Sequence, residues 1–286
     1  METLLQMLTL SVLRSGLYAL TSVGLALAVG VIGIVNFAHG EFLMLGAFLG
    51  YWLHELYGLD PPLVAPVSGA VLFLLGAGVY RMAIQRVLRA PPLNQMLLTF
   101  GLSILLQNLA VILWTGDNRT TAIPYGHLSV ALGPVRVGVP QAIVFAVASI
   151  LTAGLYLVLD RTRVGKAIQA VAQDRLGASL VGIEVDATYR LAFALSTALA
   201  GVAGTLLVAQ YAVSPYMGLL FTLKAFAIIV VAGLGNIRGV VYASLVLGLV
   251  EAAVEFYVPR GTGWSEAVFF LLILGVLLLR PQGLFR

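Results

Sequence analysis

The 286-residue chain has no cysteine. Disulfide frameworks and thiolate metal sites are therefore excluded. Histidine is scarce, and His39, His54 and His127 stand too far apart to read as a metal cluster. Charge is scarce too: 10% of residues are Asp, Glu, Lys or Arg, against about 25% in a soluble domain. The net charge of +4 is modest, and no basic run interleaved with polar and aromatic residues marks a nucleic-acid partner. There is no G-x-x-x-x-G-K-[ST] loop, since Gly165-Lys166 lacks the preceding glycine, so this chain is not expected to hold a nucleotide. Residues 1–13 are apolar but lack a basic leader and an A-x-A-like cleavage site, so the N-terminus is expected to be retained in the first helix.

What fills the chain instead is apolar sequence, 60% of all residues. No soluble core hides so much apolar surface from water, whereas lipid accommodates it. A spanning helix needs roughly 20 apolar residues, and the chain holds about eight such stretches. The expected fold is an all-α polytopic transmembrane bundle forming one integral-membrane domain, residues 1–286. The first stretch runs from residue 4 or 15 to 31, with a break expected at Arg14-Ser15-Gly16. Others cover 37–56, 63–80, 93–114, 139–159, 191–213, 217–233, 240–258 and 264–279. Asp60-Pro61-Pro62 reads as a turn. Arginines crowd the loop at 81–89, and Arg161, Arg163, Lys166, Arg175 and Arg190 crowd 160–190, while the loop at 116–138 carries only Arg119 and Arg136. By the positive-inside rule the first two are cytoplasmic and the third faces outward. Arg280 and Arg286 place the C-terminus inside.

Two interruptions fall within apolar sequence, at 33–41 (GIVNFAHGE) and 233–239 (GLGNIRG). At an offset of 200, Gly33 meets Gly233, Asn36 meets Asn236 and Glu55 meets Glu255. Backbone broken at membrane depth survives only inside protein or beside a wet cavity, and paired breaks in two halves of a transporter point to its path. Asn36, His39, Glu41, Gly235 and Asn236 are therefore the candidates for a substrate pathway. For three of them there is a plainer reading: Asn36 caps the next helix, while His39 and Glu41 are solvated at the cytoplasmic surface. Lys224, inside an apolar run, needs a partner or an interface, and Glu251 and Glu255, one turn apart on one helix face, fit the outer interface; all three read as structural. Small residues at Gly24–Ala28, Gly46–Gly50 and 198–204 (ALAGVAG) indicate close helix packing.

Residues 166–181 within the cytoplasmic segment 160–190 read as one amphipathic helix. Ile168, Val171, Ala172, Leu176, Ser179 and Leu180 recur at helical spacing, and Gly182 suits a C-terminal cap. The segment is too polar to span and too apolar on one face to float free, so it lies on the bilayer or enters a partner's groove.

These stretches carry a resemblance. GVIGIVNFAHGEFLMLGAFLG (30–50), GKAIQAVAQDRLGASLVGI (165–183), ALAGVAG (198–204), MGLLFTLKAFAIIVVAGLGNIRG (217–239) and the closing PQGLF resemble, in this order, the branched-chain amino acid permease family of ATP-binding-cassette importers. The resemblance implies a non-enzymatic membrane subunit that works with a second permease, a paralogue, with two cytoplasmic ATPase subunits and with a periplasmic or extracellular solute-binding protein. It implies a multi-pass place among the lipids of a bacterial or archaeal plasma (inner) membrane, no cofactor on this chain, and ATP on the partners. Its cargo would be branched-chain or other hydrophobic amino acids, with urea and short amides as related solutes. Residues 166–182 would be a coupling helix docked on an ATPase, with Arg163, Lys166, Ile168, Val171, Asp174, Leu176 and Gly182 as coupling residues.

Other classes fit less well. A channel of paired half-helices lacks Asn-Pro-Ala at either break and has no need of the amphipathic segment. A secondary transporter would carry coupling carboxylates near the midplane, whereas most acidic residues here fall near helix ends. An intramembrane enzyme would pair His39 and Glu41 with a nucleophile, and none stands out.

Overall fold

The computed structural model describes residues 2–280 and 282–285; Pro281 and Arg286, invoked in the sequence reading, lie outside them. The chain runs α1 (Glu2–Ile32), α2 (His39–Tyr57), α3 (Pro61–Val79), a π-helical stretch (Tyr80–Ile84), α4 (Gln85–Val87) and α5 (Pro92–Trp114). A hairpin of β1 (Ser129–Leu132) and β2 (Val135–Gly138) follows, then α6 (Val139–Arg161), α7 (Arg163–Gln173), α8 (Arg175–Leu180) and α9 (Val185–Leu207). The chain closes with α10 (Met217–Ala232), α11 (Ile237–Tyr257) and α12 (Gly261–Leu279). Among the described residues six helices are long and apolar enough to cross a membrane: Glu2–Ile32, Pro61–Val87, Pro92–Trp114, Val139–Arg161, Val185–Leu207 and Ile237–Tyr257. The helical bundle is thus as expected, but fewer helices reach spanning length and apolarity than the eight or so stretches: α2 is not among the six, and α10 and the described part of α12 are shorter apolar helices.

The expected break at residues 14–16 is absent. The α1 helix passes through Arg14 because its guanidinium lies 2.6 Å from Glu255 on α11, which removes the reason for the chain to turn out to water. The stretch assigned to 191–213 is also shifted. Its helix starts at Val185 and stops at Leu207, since Tyr80 donates to Asp186 at 2.8 Å and so allows that charge in the first turn. Asp60 and the two prolines do turn the chain, and Pro61 and Pro62 also open α3, where a missing N–H costs nothing.

The centre of the bundle is α9, packed along α2 and α3. Helices in lipid gain little from hydrophobic burial against one another, so close approach and interhelical hydrogen bonds carry the association. The sequence supplies both. Gly46 of α2 lies on the Gly201 carbonyl of α9, too close for a side chain on Gly46, and a side chain on Gly201 would run into Leu72 of α3. Around that contact Thr205 donates to Gly46 O (2.9 Å), Ser68 to Gly201 O (3.0 Å) and Thr197 to Leu72 O (2.9 Å).

The two ends of the bundle differ. At one end the β-hairpin clasps the start of α1: Gln6 donates to Arg136 O and accepts from Arg136 N, both at 2.8 Å. Tyr125 donates to Asp60 there. At the other end lie α7, α8 and the arginine-bearing turn after α4, with Arg89 beside Arg175 and Leu176. The C-terminal strand of chain joins this second end, where Leu284 N donates to Val231 O at 2.8 Å. The loops grouped by charge in the sequence are therefore grouped in space, 81–89 with 160–190, and 116–138 opposite.

Candidate functional site

Two segments fold back into the bundle from opposite ends and meet midway. Residues 33–38 leave the α7 end of α1 and climb to the start of α2. Residues 208–216 leave α9 near the hairpin end, where Val213 and Arg119 exchange backbone hydrogen bonds of 2.7 and 2.9 Å, and descend to the start of α10. The two helix starts touch: Gly40 lies on the Gly218 carbonyl without room for a side chain on Gly40. Gly40 N donates to Thr222 Oγ1 (2.8 Å), whose proton goes to Gly218 O (3.0 Å). Thr99, on α5, donates to Val35 O at 3.0 Å. These bonds supply internally what lipid cannot give an irregular backbone.

Asn36, His39 and Glu41 come together at this junction. His39 and Glu41 are each 1% exposed, so the plainer reading of a solvated surface pair is overturned. Gly24 has no side chain, which leaves space for the imidazole beside α1. His39 Nε2 donates to Thr21 O at 3.0 Å, because a carbonyl only accepts, and Nδ1 has no protein partner. Glu41 Oε1 accepts from Ser103 at 3.0 Å, midway along α5, and Oε2 has none. The starts of α2 and α10 both lie at Glu41, and two positive helix ends favour a negative group there. Asn36 is not the helix cap expected of it. Its Oδ1 accepts from Ala38 N (3.1 Å) in a turn before the helix, and Ala38 is the cap position.

Gly235 and Asn236 lie elsewhere, so the structure does not bring the five candidates into one site. The second interruption, Gly233 to Asn236, sits at the rim of the α7 end. Asn236 does cap α11, accepting from Gly239 N at 3.0 Å, and it donates to Phe285 O at 2.8 Å. Both residues line a cavity of about 620 Å³ whose other wall is α7, with Ile168, Gln169 and Ala172, and whose floor is Gly30 and Val31 of α1. Pathway candidates and coupling candidates thus share one cavity, which the sequence had not joined.

The amphipathic segment is two helices instead of one. Asp174 breaks it, leaving helical geometry and accepting from Leu176 N (2.9 Å) to cap α8. Thr162 caps α7 in the same way, accepting from Gly165 N at 3.0 Å. Gly182, at φ +85°, ends α8 in the left-handed conformation that suits glycine, as expected. The break divides the apolar face. Ile168 (1% exposed) and Val171 (3%) pack into the bundle, whereas Leu176 (71%) and Leu180 (80%) stand out in the open. Arg163 and Lys166 lie in the first turn of α7, with Lys166 exposed.

Nearer the hairpin end, buried charges that the sequence reading assigned to structural roles form a network. Lys224 Nζ is 2.8 Å from Glu251 Oε1, and Tyr18 donates to Glu251 Oε2 at 2.5 Å. The ammonium also lies over the rings of Tyr18 (5.4 Å) and Phe269 (5.6 Å). The visible signals were a lysine inside an apolar run and two glutamates one turn apart; their partners on α1 were not readable.

Residues 7–277 match the family described as the permease component of branched-chain amino acid transport systems. The high-affinity branched-chain amino acid transport system permease protein LivH of Escherichia coli (strain K12) is 32% identical over 284 residues, covering 93% of this chain and 90% of that protein. BraD of Pseudomonas aeruginosa, described in the same words, is 33% identical over 285 residues, covering 93% and 91%. LivM of Salmonella typhimurium, another permease protein of such a system, is 28% identical over 298 residues, covering 94% of this chain and 67% of its own length. No solved structure matches the chain.

Proposed function

We propose, from the premise that this chain belongs to the branched-chain amino acid transport permease family, that it is the membrane-spanning subunit of an ATP-driven importer of branched-chain or similar hydrophobic amino acids. The observation that carries the mechanism is the divided face of α7 and α8. One half is anchored in the bundle beside the 620 Å³ cavity. The other half exposes Leu176, Leu180 and Val181, with Leu176 next to Arg89 and Arg175. That is the form of a lever: a rigid inner arm on the helices lining a cavity, and an outer apolar patch suited to a partner's groove.

In this reading the outer arm docks on a cytoplasmic ATPase, so the α7 end and the C-terminus face the cytoplasm of a bacterial or archaeal inner membrane. ATP is bound and hydrolysed by two such subunits, and this chain holds no cofactor. A second permease, a paralogue, completes the membrane part; the similarity of the chain to both LivH and LivM supports a pair of related subunits. A solute-binding protein delivers cargo at the hairpin end. Closure of the ATPases tilts α7 against Gly235, Asn236 and the end of α1, reshaping the inner cavity, while the closed junction at His39 and Glu41 separates the two ends.

Two measurements test this. Affinity purification from the native membrane in mild detergent is expected to recover two ATPase subunits and a second permease; recovery of the chain alone would overturn the importer reading. The double substitution Leu176→Glu with Leu180→Glu is expected to lower leucine import by about tenfold or more, the loss of a docking contact worth about 1.4 kcal/mol, with the protein still inserted. Undiminished import would exclude this patch as the coupling surface.

A further inference from the structure

Between α1, α10, α11 and α12, on the hairpin side of the junction, lies a cavity of about 450 Å³, within the usual range for a small-molecule site. Its charges are sorted by wall. Arg14 on α1 and Lys224 on α10 supply two cations. Glu251 and Glu255, one turn apart on α11, supply two anions, at 2.8 Å from Lys224 and 2.6 Å from Arg14. Glu266 stands at the edge, exposed and without an ion-pair partner among the described residues. Leu220 and Phe221 add an apolar side. Buried charge within a membrane span is expensive and marks function more often than mere support. One pair with its tyrosine would be enough to join the helices, and here two lie beside open space.

We propose that this cavity is a binding site for the zwitterionic head of an α-amino acid, its carboxylate held by Lys224 and Arg14, its ammonium by Glu251 and Glu255, and its side chain against Leu220 and Phe221. The argument is charge conservation. Removing one partner of a buried pair leaves the other charge uncompensated, which is strongly unfavourable. A zwitterion inserted between the walls keeps the net charge unchanged and gives each wall a counter-charge, one carboxylate shared by the two cations and one ammonium shared by the two glutamates. A singly charged acid or amine satisfies one wall only, and a neutral solute satisfies neither. The exposed carboxylate of Glu266 draws the ammonium to the edge. This assignment rests on the amino-acid import reading, and it places a selective site inside a single permease chain.

The test uses the assembled complex in lipid nanodiscs without its solute-binding protein. Radiolabelled leucine is expected to bind saturably, displaced by valine but not by 4-methylpentanoate, which lacks the ammonium, or by leucinamide, which lacks the carboxylate. The paired neutral substitution Lys224→Met with Glu251→Gln is expected to weaken binding by about tenfold or more. Glu266→Gln, at an exposed position that leaves the buried Lys224–Glu251 pair and the half-buried Arg14–Glu255 pair intact, is expected to weaken it by about threefold. Absence of saturable binding, displacement by the singly charged analogues, or binding unchanged in both variants would overturn the site. Import by the wild-type complex with its binding protein separates the two levels: leucine import without binding here sinks this site alone, whereas import of no amino acid sinks the reading beneath it.

Discussion

The interruptions at residues 33–38 and 233–236 look alike in sequence and differ in what surrounds them. Both end a helix on a glycine of positive φ, Gly33 at +81° and Gly233 at +92°, and both hold an asparagine three residues later. The first continues inward, where Thr99 of α5 donates to Val35 O and, as α2 begins, Thr222 of α10 accepts from Gly40 N. The second turns over at the rim and starts α11 at once, capped by its own Asn236. The real counterpart of the first is the 208–216 segment, which enters from the other end and meets it at Gly40 and Gly218. A break is re-entrant when neighbouring helices offer hydroxyls and empty space at its depth. The local Gly and Asn pattern specifies a turn in either setting.

This contrast orders the consequences of substitution. The largest effect is expected at the junction. Gly40→Ala sets a methyl group on the Gly218 carbonyl, which is backbone and cannot swing aside, so the two helix starts must separate. The expected loss is about 3 kcal/mol, the upper end of overpacking, seen as a lowered thermal midpoint of the purified protein. An unchanged midpoint would show the junction to be looser than described. Next is Thr222→Val, nearly isosteric, which leaves Gly40 N–H buried without an acceptor at a cost of about 2 kcal/mol; hydrogen exchange at Gly40 should rise with it.

At the rim the effects shrink. Asn236→Ala removes one cap and the bond to Phe285, for about 1 kcal/mol, and should free the C-terminal residues to proteolysis without disturbing the core. A loss as large as that at Thr222 would erase the distinction between buried and rim breaks. Arg238→Gln, removing the exposed pair with Asp160, is expected to leave the thermal midpoint unchanged at physiological salt, since solvent and ions screen such pairs.

Hydropathy and charge were enough to read the class of fold, most helix positions and the grouping of loops at two ends. The reason is that lipid acts on every span separately: each needs its own apolar length, and each loop its own charge bias. The sharp ends of α5, the Asp60-Pro61-Pro62 turn and the cap at Gly182 were visible because the signals lie within a few residues of their effects. What depended on neighbours was invisible. Arg14 does not break α1 because Glu255 arrives from 241 residues away. His39 and Glu41 are buried because α5 and α10 close over them. Ile168 and Leu176 share a helical period yet face opposite surroundings, because Asp174 turns the chain between them. In each case the deciding partner comes from a distant part of the chain or the turn is one that periodicity smooths over, and only the packed bundle brings those groups within hydrogen-bond reach.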